Sequence, residues 1–194
     1  MKTFSLFSVL SLTAATVFGS PQPLEGFPGD YTLGNLTWEG NVTDNGPLMS
    51  FSGPSFHDIE SQILQANPGF TWPDQGTTNS PALKKVDHMT CDPNNIWWAQ
   101  IFRIEEGIDY LKGKTGRCYI GPGPRFCSRL SCSYHSAIYW CNDQDQAVWI
   151  DCDRWTSYAQ MIVDQCSVED SSQTVRGQVF DTDNWNIMVG YGDC

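Results

Sequence analysis

The feature that most constrains this chain is its cysteine content, because all eight cysteines fall between residue 91 and the last residue, 194. They are Cys91, Cys118, Cys127, Cys132, Cys141, Cys152, Cys166 and Cys194. An even number of cysteines in a secreted chain predicts a framework of disulfides, here four, whose pairing the sequence leaves open. No Cys-x-x-Cys pair or Cys/His cluster has zinc spacing, so we expect neither a metal nor another cofactor.

The first 19 residues have the pattern of a secretory signal peptide. Lys2 precedes an apolar run from Phe4 to Phe18, and Gly19 ends the segment ahead of Ser20. The run is too short and too rich in Ser and Thr to cross a bilayer, which takes about 20 predominantly apolar residues. We therefore expect cleavage after Gly19 and a secreted, extracellular protein without a membrane anchor.

The net charge of the chain limits the classes of molecule that we expect it to bind. The formal net charge is −11, and the loss of Lys2 with the signal peptide makes it −12. Nucleic acids and anionic membranes are poor partners for such a surface, because their binding depends on Lys and Arg neutralising phosphates. Two sequons, which begin at Asn35 and Asn41, predict N-glycosylation in the secretory pathway.

The distribution of cysteines divides the mature chain into two parts. Residues 20–85 contain no cysteine and are rich in Pro and Gly, whereas residues 86–194 contain all eight. We interpret the first part as a leader or pro-segment, with a linker at 70–83, and the second as a disulfide-stapled domain. Lys84-Lys85 then resembles a processing site in an exposed segment, although the first part could also pack permanently on the second.

The leader has local structure of its own. Strand-like runs at 36–42 and 48–53 are joined through Asn45-Gly46, a pair typical of hairpin turns. Ser55 is a suitable N-cap for a helix that extends to Ala66. The sequence thus predicts an N-terminal hairpin followed by a helix.

The cysteine domain contains two helical patterns. The first begins with Asp92 as the N-cap and Pro93 in the first turn, and it ends before Gly113. Its apolar stripe consists of Trp97, Ile101, Ile104, Ile108 and Leu111. The second pattern begins near Asp153 and extends to Cys166.

Short strand-like runs separate and follow the two helical patterns. They lie at 117–120, 128–133, 137–142, 148–151, 177–180 and 186–189. Their lengths and polar turns favour an antiparallel sheet. We therefore predict an α+β fold with a small antiparallel sheet, two helices on one of its faces and four disulfides, preceded by the hairpin-helix leader.

Four stretches of the chain carry a resemblance to a known group of proteins. They lie at 104–111, 127–134, 136–143 and 177–186. Together they resemble fungal small cysteine-rich secreted proteins that are described as effector-like, whereas residues 189–194 do not match the closing pattern of the classical necrosis-inducing effector domain. The resemblance implies an extracellular, non-enzymatic role in contact with a host. It implies no catalytic residue.

The residues give no pattern of a catalytic site. The three histidines, His57, His88 and His135, lie outside any zinc or acyl-transfer motif. Glu105 and Glu106 are adjacent on a predicted helix and are better interpreted as a solvated face than as a glycosidase pair. We expect no enzyme activity.

Two features favour binding. The segment from Gly121 to Phe126 lies between two cysteines and ends in Pro124, Arg125 and Phe126, and Arg and aromatic residues are enriched at binding hot spots. We take these three as candidate partner-binding residues, although the segment could equally be an ordinary strand connection. Trp140, Trp149 and Trp185 could form a platform for sugars, but core positions suit them better.

These observations lead to a ranked interpretation of function. We expect a secreted effector-like binding protein that acts on an extracellular host protein, with inhibition of a secreted host protease as the most specific form. The alternatives are a carbohydrate- or wall-binding module and a small secreted hydrolase. The sequence leaves the target and the oligomeric state open.

Overall fold

The structure, a computed structural model, describes Phe27, residues 30–73 and residues 85–194. The predicted signal peptide, Lys84 and most of the predicted linker lie outside these residues. The helices are α1 (Phe56–Ala66), α2 (Ile101–Leu111) and α3 (Arg154–Cys166). The strands are β1 (Thr32–Leu33), β2 (Leu36–Asn41), β3 (Leu48–Gly53), β4 (Val86–Thr90), β5 (Ala99–Gln100), β6 (Arg117–Ile120), β7 (Phe126–Ser133), β8 (Ser136–Asn142), β9 (Val148–Asp151), β10 (Ser167–Val168), β11 (Thr174–Val175), β12 (Gly177–Asp181) and β13 (Trp185–Tyr191).

The chain is α+β, as predicted, but the strands among the described residues form three sheets rather than one. The orders are β1-β7-β8-β13-β12-β4, β3-β2-β6-β9 and β10-β11-β5. Every pairing is antiparallel except that of β1 with β7. The sequence pattern specified most of the strands, but the grouping into sheets depends on pairings between distant segments.

Four disulfides connect the elements of the fold, as predicted. The pairs are Cys91–Cys166, Cys118–Cys152, Cys127–Cys141 and Cys132–Cys194. Cys118–Cys152 joins β6 to the residue after β9, and Cys127–Cys141 joins the neighbouring strands β7 and β8. Among the described residues no helix has the length and apolar character needed to cross a membrane.

The first helix of the cysteine domain begins eight residues later than the sequence predicted, with Gln100 instead of Asp92 at the N-cap position. Asp92 and Pro93 are not its start, because α2 begins at Ile101. The chain before it is extended: Ala99–Gln100 pairs with β11, and the Ile101 amide donates to the Gln173 carbonyl at 3.0 Å. Pairing with a distant strand has overridden the local helix-start signal.

The N-terminal helix agrees with its predicted start. The Ser55 hydroxyl oxygen accepts a hydrogen bond from the Asp58 amide, as an N-cap does. Phe56, Ile59 and Ile63 on its inner face are buried. α1 thereby contributes to the main hydrophobic core, which also contains residues of α2, α3 and all three sheets.

The cysteine-free part is built into the same fold. β2 pairs with β6 of the cysteine domain, which places Trp38 opposite Cys118. The Trp38 indole is buried and donates to the Thr115 carbonyl at 2.7 Å. The predicted linker is packed at its start, since Trp72 lies 5.8 Å from the Trp38 ring. Whether the chain is processed at Lys84-Lys85 stays a prediction.

Candidate binding surface

The loop singled out from the sequence, from Gly121 to Phe126, is held by backbone hydrogen bonds at both of its sides. The Gly123 amide donates to the Gln144 carbonyl at 2.7 Å, and the Arg125 carbonyl accepts from the Thr32 amide at 2.9 Å. The Arg125 guanidinium forms an exposed ion pair with Asp30 at 2.6 Å. Pro124 and Arg125 face solvent, and their role in binding stays a prediction.

Phe126 differs from its neighbours in the loop. It is the first residue of β7 and is only half-exposed, packed against the main core. Its ring fills the space above Gly34, where an added Cβ would come within 2.3 Å of the Phe126 ring. Phe126 therefore contributes to packing, and its role in binding stays a prediction.

A different surface brings together several large aromatic side chains that are exposed, with the partly buried Tyr191 beside them. We define the aromatic patch as Trp97, Trp98, Phe102, Tyr134 and Tyr191, with Arg103, His135 and Arg176 among them. Tyr134 is 74% exposed and Trp97 50%. Contiguous exposed apolar surface of this kind commonly marks an interaction site.

The two tryptophans directly precede β5 and lie between two buried residues. Ile96 and Ala99 on either side of them are buried. Arg176 donates to the Ile96 carbonyl at 3.0 Å, and its guanidinium lies 4.5 Å from the Trp98 ring centre. Trp97 and Trp98, between these buried residues, remain 50% and 41% exposed.

Tyr134 of the patch is placed by a tight turn. Tyr134 and His135 form the two-residue connection between β7 and β8, and both have positive φ, 47° and 59°. Positive φ at both positions is the geometry of a type I′ hairpin turn. The turn projects Tyr134 over Arg103, whose guanidinium lies 3.9 Å from the tyrosine ring centre and 4.5 Å from that of Phe102.

Covalent and hydrogen-bonded links hold the parts of the patch together. The Tyr191 amide donates to the Trp97 carbonyl at 2.9 Å, and its ring stacks on His135 with the planes 1° apart. The disulfide Cys132–Cys194 ties the chain after Tyr191 to β7 beside the turn. The aromatic side chains are thus presented on a constrained backbone, which reduces the entropy lost on binding.

Acidic residues surround the patch. Asp92 pairs with Arg176, and Glu106 pairs with Arg103 at 2.8 Å. Asp193 lies 3.9 Å from His135. Both arginines are therefore neutralised within the protein, and the rim carries an excess of carboxylates.

The three tryptophans considered as a sugar platform have separate locations. Trp140 and Trp185 are fully buried in the core, whereas Trp149 is 40% exposed on β9. The Trp149 ring lies 4.8 Å from that of Tyr119. A platform built from all three is excluded, and only Trp149 is available to a ligand.

The described residues bring no catalytic constellation together. Within them no group of three or more His, Cys, Asp or Glu side chains could hold a metal ion. His57, His88 and His135 are all exposed, and Glu105 and Glu106 lie on the solvent face of α2.

Most of the aromatic patch was missed by sequence reasoning. Trp97 was expected in a helical stripe, and Trp98, Phe102, Tyr134 and Tyr191 were not selected. Two adjacent tryptophans were a usable signal, because neighbouring side chains point to opposite sides of a strand and about 100° apart on a helix, so both do not face the same core.

Neither the protein-family models nor the curated proteins include a match to this chain.

Proposed function

We propose that this protein is a secreted, effector-like binding protein that acts on an extracellular host protein through the aromatic patch. The observation that carries the proposal is the patch itself, in which solvent-facing Trp, Tyr and Phe side chains alternate with arginines on a disulfide-anchored backbone. Trp, Tyr and Arg dominate the binding energy of protein interfaces.

The charges indicate the kind of partner. The chain carries a formal charge of −11, and Asp92, Glu106 and Asp193 place carboxylates at the rim of the patch. A complementary partner has lysines and arginines around an apolar centre, since opposite charges at the rim speed association. Four disulfides suit a protein that works in an oxidising, extracellular compartment.

Inhibition of a secreted host protease is the narrower form of the proposal. A rigid, disulfide-held surface loses little entropy when it docks, which favours tight binding at a protease surface. The exposed part of the loop, Pro124 and Arg125, could add a second contact. The carbohydrate-binding alternative has narrower support, because it depends on Trp149 alone.

The test is affinity capture from host extracellular fluid with three forms of the protein. We expect a captured protein to be retained by the wild type and by Trp149→Ala, but to be lost with the double variant Trp98→Ala/Tyr134→Ala. The captured protein should bind the double variant at least 1.4 kcal/mol, or about tenfold, more weakly. Equal capture by all three forms would exclude the patch as the binding surface, and retention on host polysaccharide instead would favour the alternative.

Inhibition can be tested on the captured protein. If it is a protease, its activity should fall on addition of the wild-type protein and be restored when the double variant replaces it. Trp149→Ala is the matched control, because it removes an exposed tryptophan from a different sheet.

A further inference from the structure

The outer face of the four-stranded sheet β3-β2-β6-β9 is a second organised surface. Its inward residues, such as Leu36, Trp38 and Ile150, are buried in the core, and the residues that alternate with them face away from it. The strand register arranges these outward residues in rows. One row contains Ser52, Thr37, Tyr119 and Trp149, and the next contains Ser50, Glu39, Arg117 and Asp151.

The first row ends in an aromatic platform. Trp149 is 40% exposed and lies beside Tyr119, with ring centres 4.8 Å apart. The Arg117 guanidinium lies 5.0 Å from the Trp149 ring centre, and Asp151 and Glu39 are opposite Arg117 on the neighbouring strands. An exposed indole bordered by hydroxyls, carboxylates and a guanidinium matches a sugar, which has an apolar ring face and polar edges.

The two predicted N-glycosylation sites lie at opposite ends of β2. Asn35 directly precedes β2 and Asn41 ends it, and both are exposed. Because side chains of a strand alternate between faces, positions 37, 39 and 41 share the outer side, and the exposed Asn35 lies at the start of the same strand. Asn41 is directly opposite Leu48, which is 66% exposed.

The register brings Asn35 close to the platform. Leu36 pairs with Ile120 and Thr37 with Tyr119, so Asn35 lies two residues along the chain from the position opposite Tyr119. Diagonal neighbours on one face of a sheet lie about 7–8 Å apart, and Trp149 is one strand further, about 5 Å away. The first sugar rings of an N-linked glycan can span this distance.

We propose that the protein's own N-linked glycan at Asn35 lies across the outer face of this sheet and covers Tyr119 and Trp149. In the attachment step the Asn35 amide nitrogen loses one proton and bonds to the anomeric carbon of an oligosaccharide, while the lipid-linked pyrophosphate that carried the sugar leaves. The glycan then buries apolar ring surface against the indole.

Covalent attachment explains why the occupant is the protein's own sugar. A tethered ligand experiences a high effective concentration, so a contact too weak to hold a free sugar is occupied when the sugar is linked nearby. The inference is independent of the proposed partner protein, because no residue of the aromatic patch lies on this sheet. A glycan on the outer face of this sheet leaves the aromatic patch available to a protein partner.

The test measures the reactivity of Trp149 in protein secreted by a glycosylating eukaryotic host. Peptide mass spectrometry first reports the glycan at Asn35, and hydroxyl-radical footprinting then gives the oxidation rate of each tryptophan. We expect Trp149 to be oxidised at least threefold more slowly in the wild type than in Asn35→Gln, with Trp97 unchanged as the internal control. Asn41→Gln removes the other sequon and should leave the Trp149 rate at the wild-type value.

Substitution at Thr37 provides a second route to the same comparison. Thr37→Val removes the sequon and should unmask Trp149 as Asn35→Gln does, whereas Thr37→Ser keeps the sequon and the protection. An unmodified Asn35, or equal Trp149 oxidation with and without its glycan, would overturn the inference. Protection of Trp149 by added chito-oligosaccharide, with no protection by the glycan at Asn35, would also overturn it, since the face would then serve an external sugar.

Discussion

The carboxylate of Glu60 on α1 is held by the ammonium group of Lys114, which follows α2, with both side chains largely withdrawn from solvent at 16% and 8% exposure. Glu60 also accepts hydrogen bonds from the Trp72 indole at 2.6 Å and the Tyr110 hydroxyl at 2.8 Å. The Lys114 ammonium lies 4.9 Å from the centre of the Trp72 ring and 4.5 Å from the centre of the Tyr110 ring. This cluster joins the cysteine-free part of the chain to the cysteine domain.

Replacing Glu60 should destabilise the whole protein. Glu60→Ala leaves the Lys114 ammonium nearly buried without its counter-charge, which costs about 3 kcal/mol of unfolding free energy. Glu105→Ala is the matched control, because that carboxylate is exposed on α2 and its loss should change stability by less than about 0.5 kcal/mol. Urea unfolding measures both variants, and similar midpoints for the two would contradict a stabilising role for the cluster.

The same cluster predicts a dependence of stability on pH. Burial raises the pKa of Glu60, but hydrogen bonds from Lys114, Trp72 and Tyr110, with the Lys114 charge, outweigh it and hold the pKa below its ordinary 4.5. When a carboxylate has a lower pKa in the folded state than in the unfolded state, its ionised form stabilises the fold at any pH above the unfolded-state pKa. This stabilisation is lost as the pH falls through the folded-state pKa.

The wild type should therefore exceed Glu60→Gln in unfolding free energy by a margin that is constant at neutral pH and shrinks below pH 4.5. Urea titrations over the range from neutral to acidic pH measure this margin. A margin that stays constant into the acidic range would show that ionised Glu60 is not its source.

Cutting the chain between Pro73 and Lys85 should leave its two parts associated. β2 pairs with β6 along four residues, and the pairing places Leu36, which is buried, opposite Ile120. A protease site inserted between residues 73 and 85 provides the cut, and we expect the two pieces to elute together from a sizing column. Elution of folded 86–194 alone would support an independent domain and a removable leader.

Natural processing needs its own measurement. N-terminal sequencing of protein secreted by its native host distinguishes a start at Val86, after Lys84-Lys85, from a start near Ser20. If the chain is cut at Lys85, the pairing of β2 with β6 predicts that the first part remains bound.

The two residues at the end of the loop should respond differently to truncation. Phe126→Ala removes a half-buried ring that packs over Gly34, so we expect a loss of about 2–3 kcal/mol, below the cost at a fully buried site. Arg125→Ala breaks only an exposed ion pair with Asp30 and should cost less than about 1 kcal/mol. Thermal or urea unfolding of the single variants measures both, and equal losses would contradict this assignment.

Local chemistry in the sequence determined several elements. Ser55 and the apolar face behind it specified α1, and Asn45-Gly46 specified the turn after β2, in which the Gly46 amide donates to the Thr43 carbonyl at 3.0 Å. β6 and β9 have the predicted bounds, 117–120 and 148–151. These signals depend on residues within one or two turns of chain, so no distant contact is needed to interpret them.

The tertiary structure decided what depends on distant segments. The pairing of Cys132 with Cys194, among the many possible disulfide pairs, depends on the assembled fold. The late start of α2 depends on the pairing of Ala99–Gln100 with β11. That same pairing turns Trp97 from a predicted core residue into an exposed one. The sequence alone thus determined a disulfide-linked α+β chain, whereas the position of its exposed aromatic residues required contacts between segments far apart in the chain, whose energies local patterns do not contain.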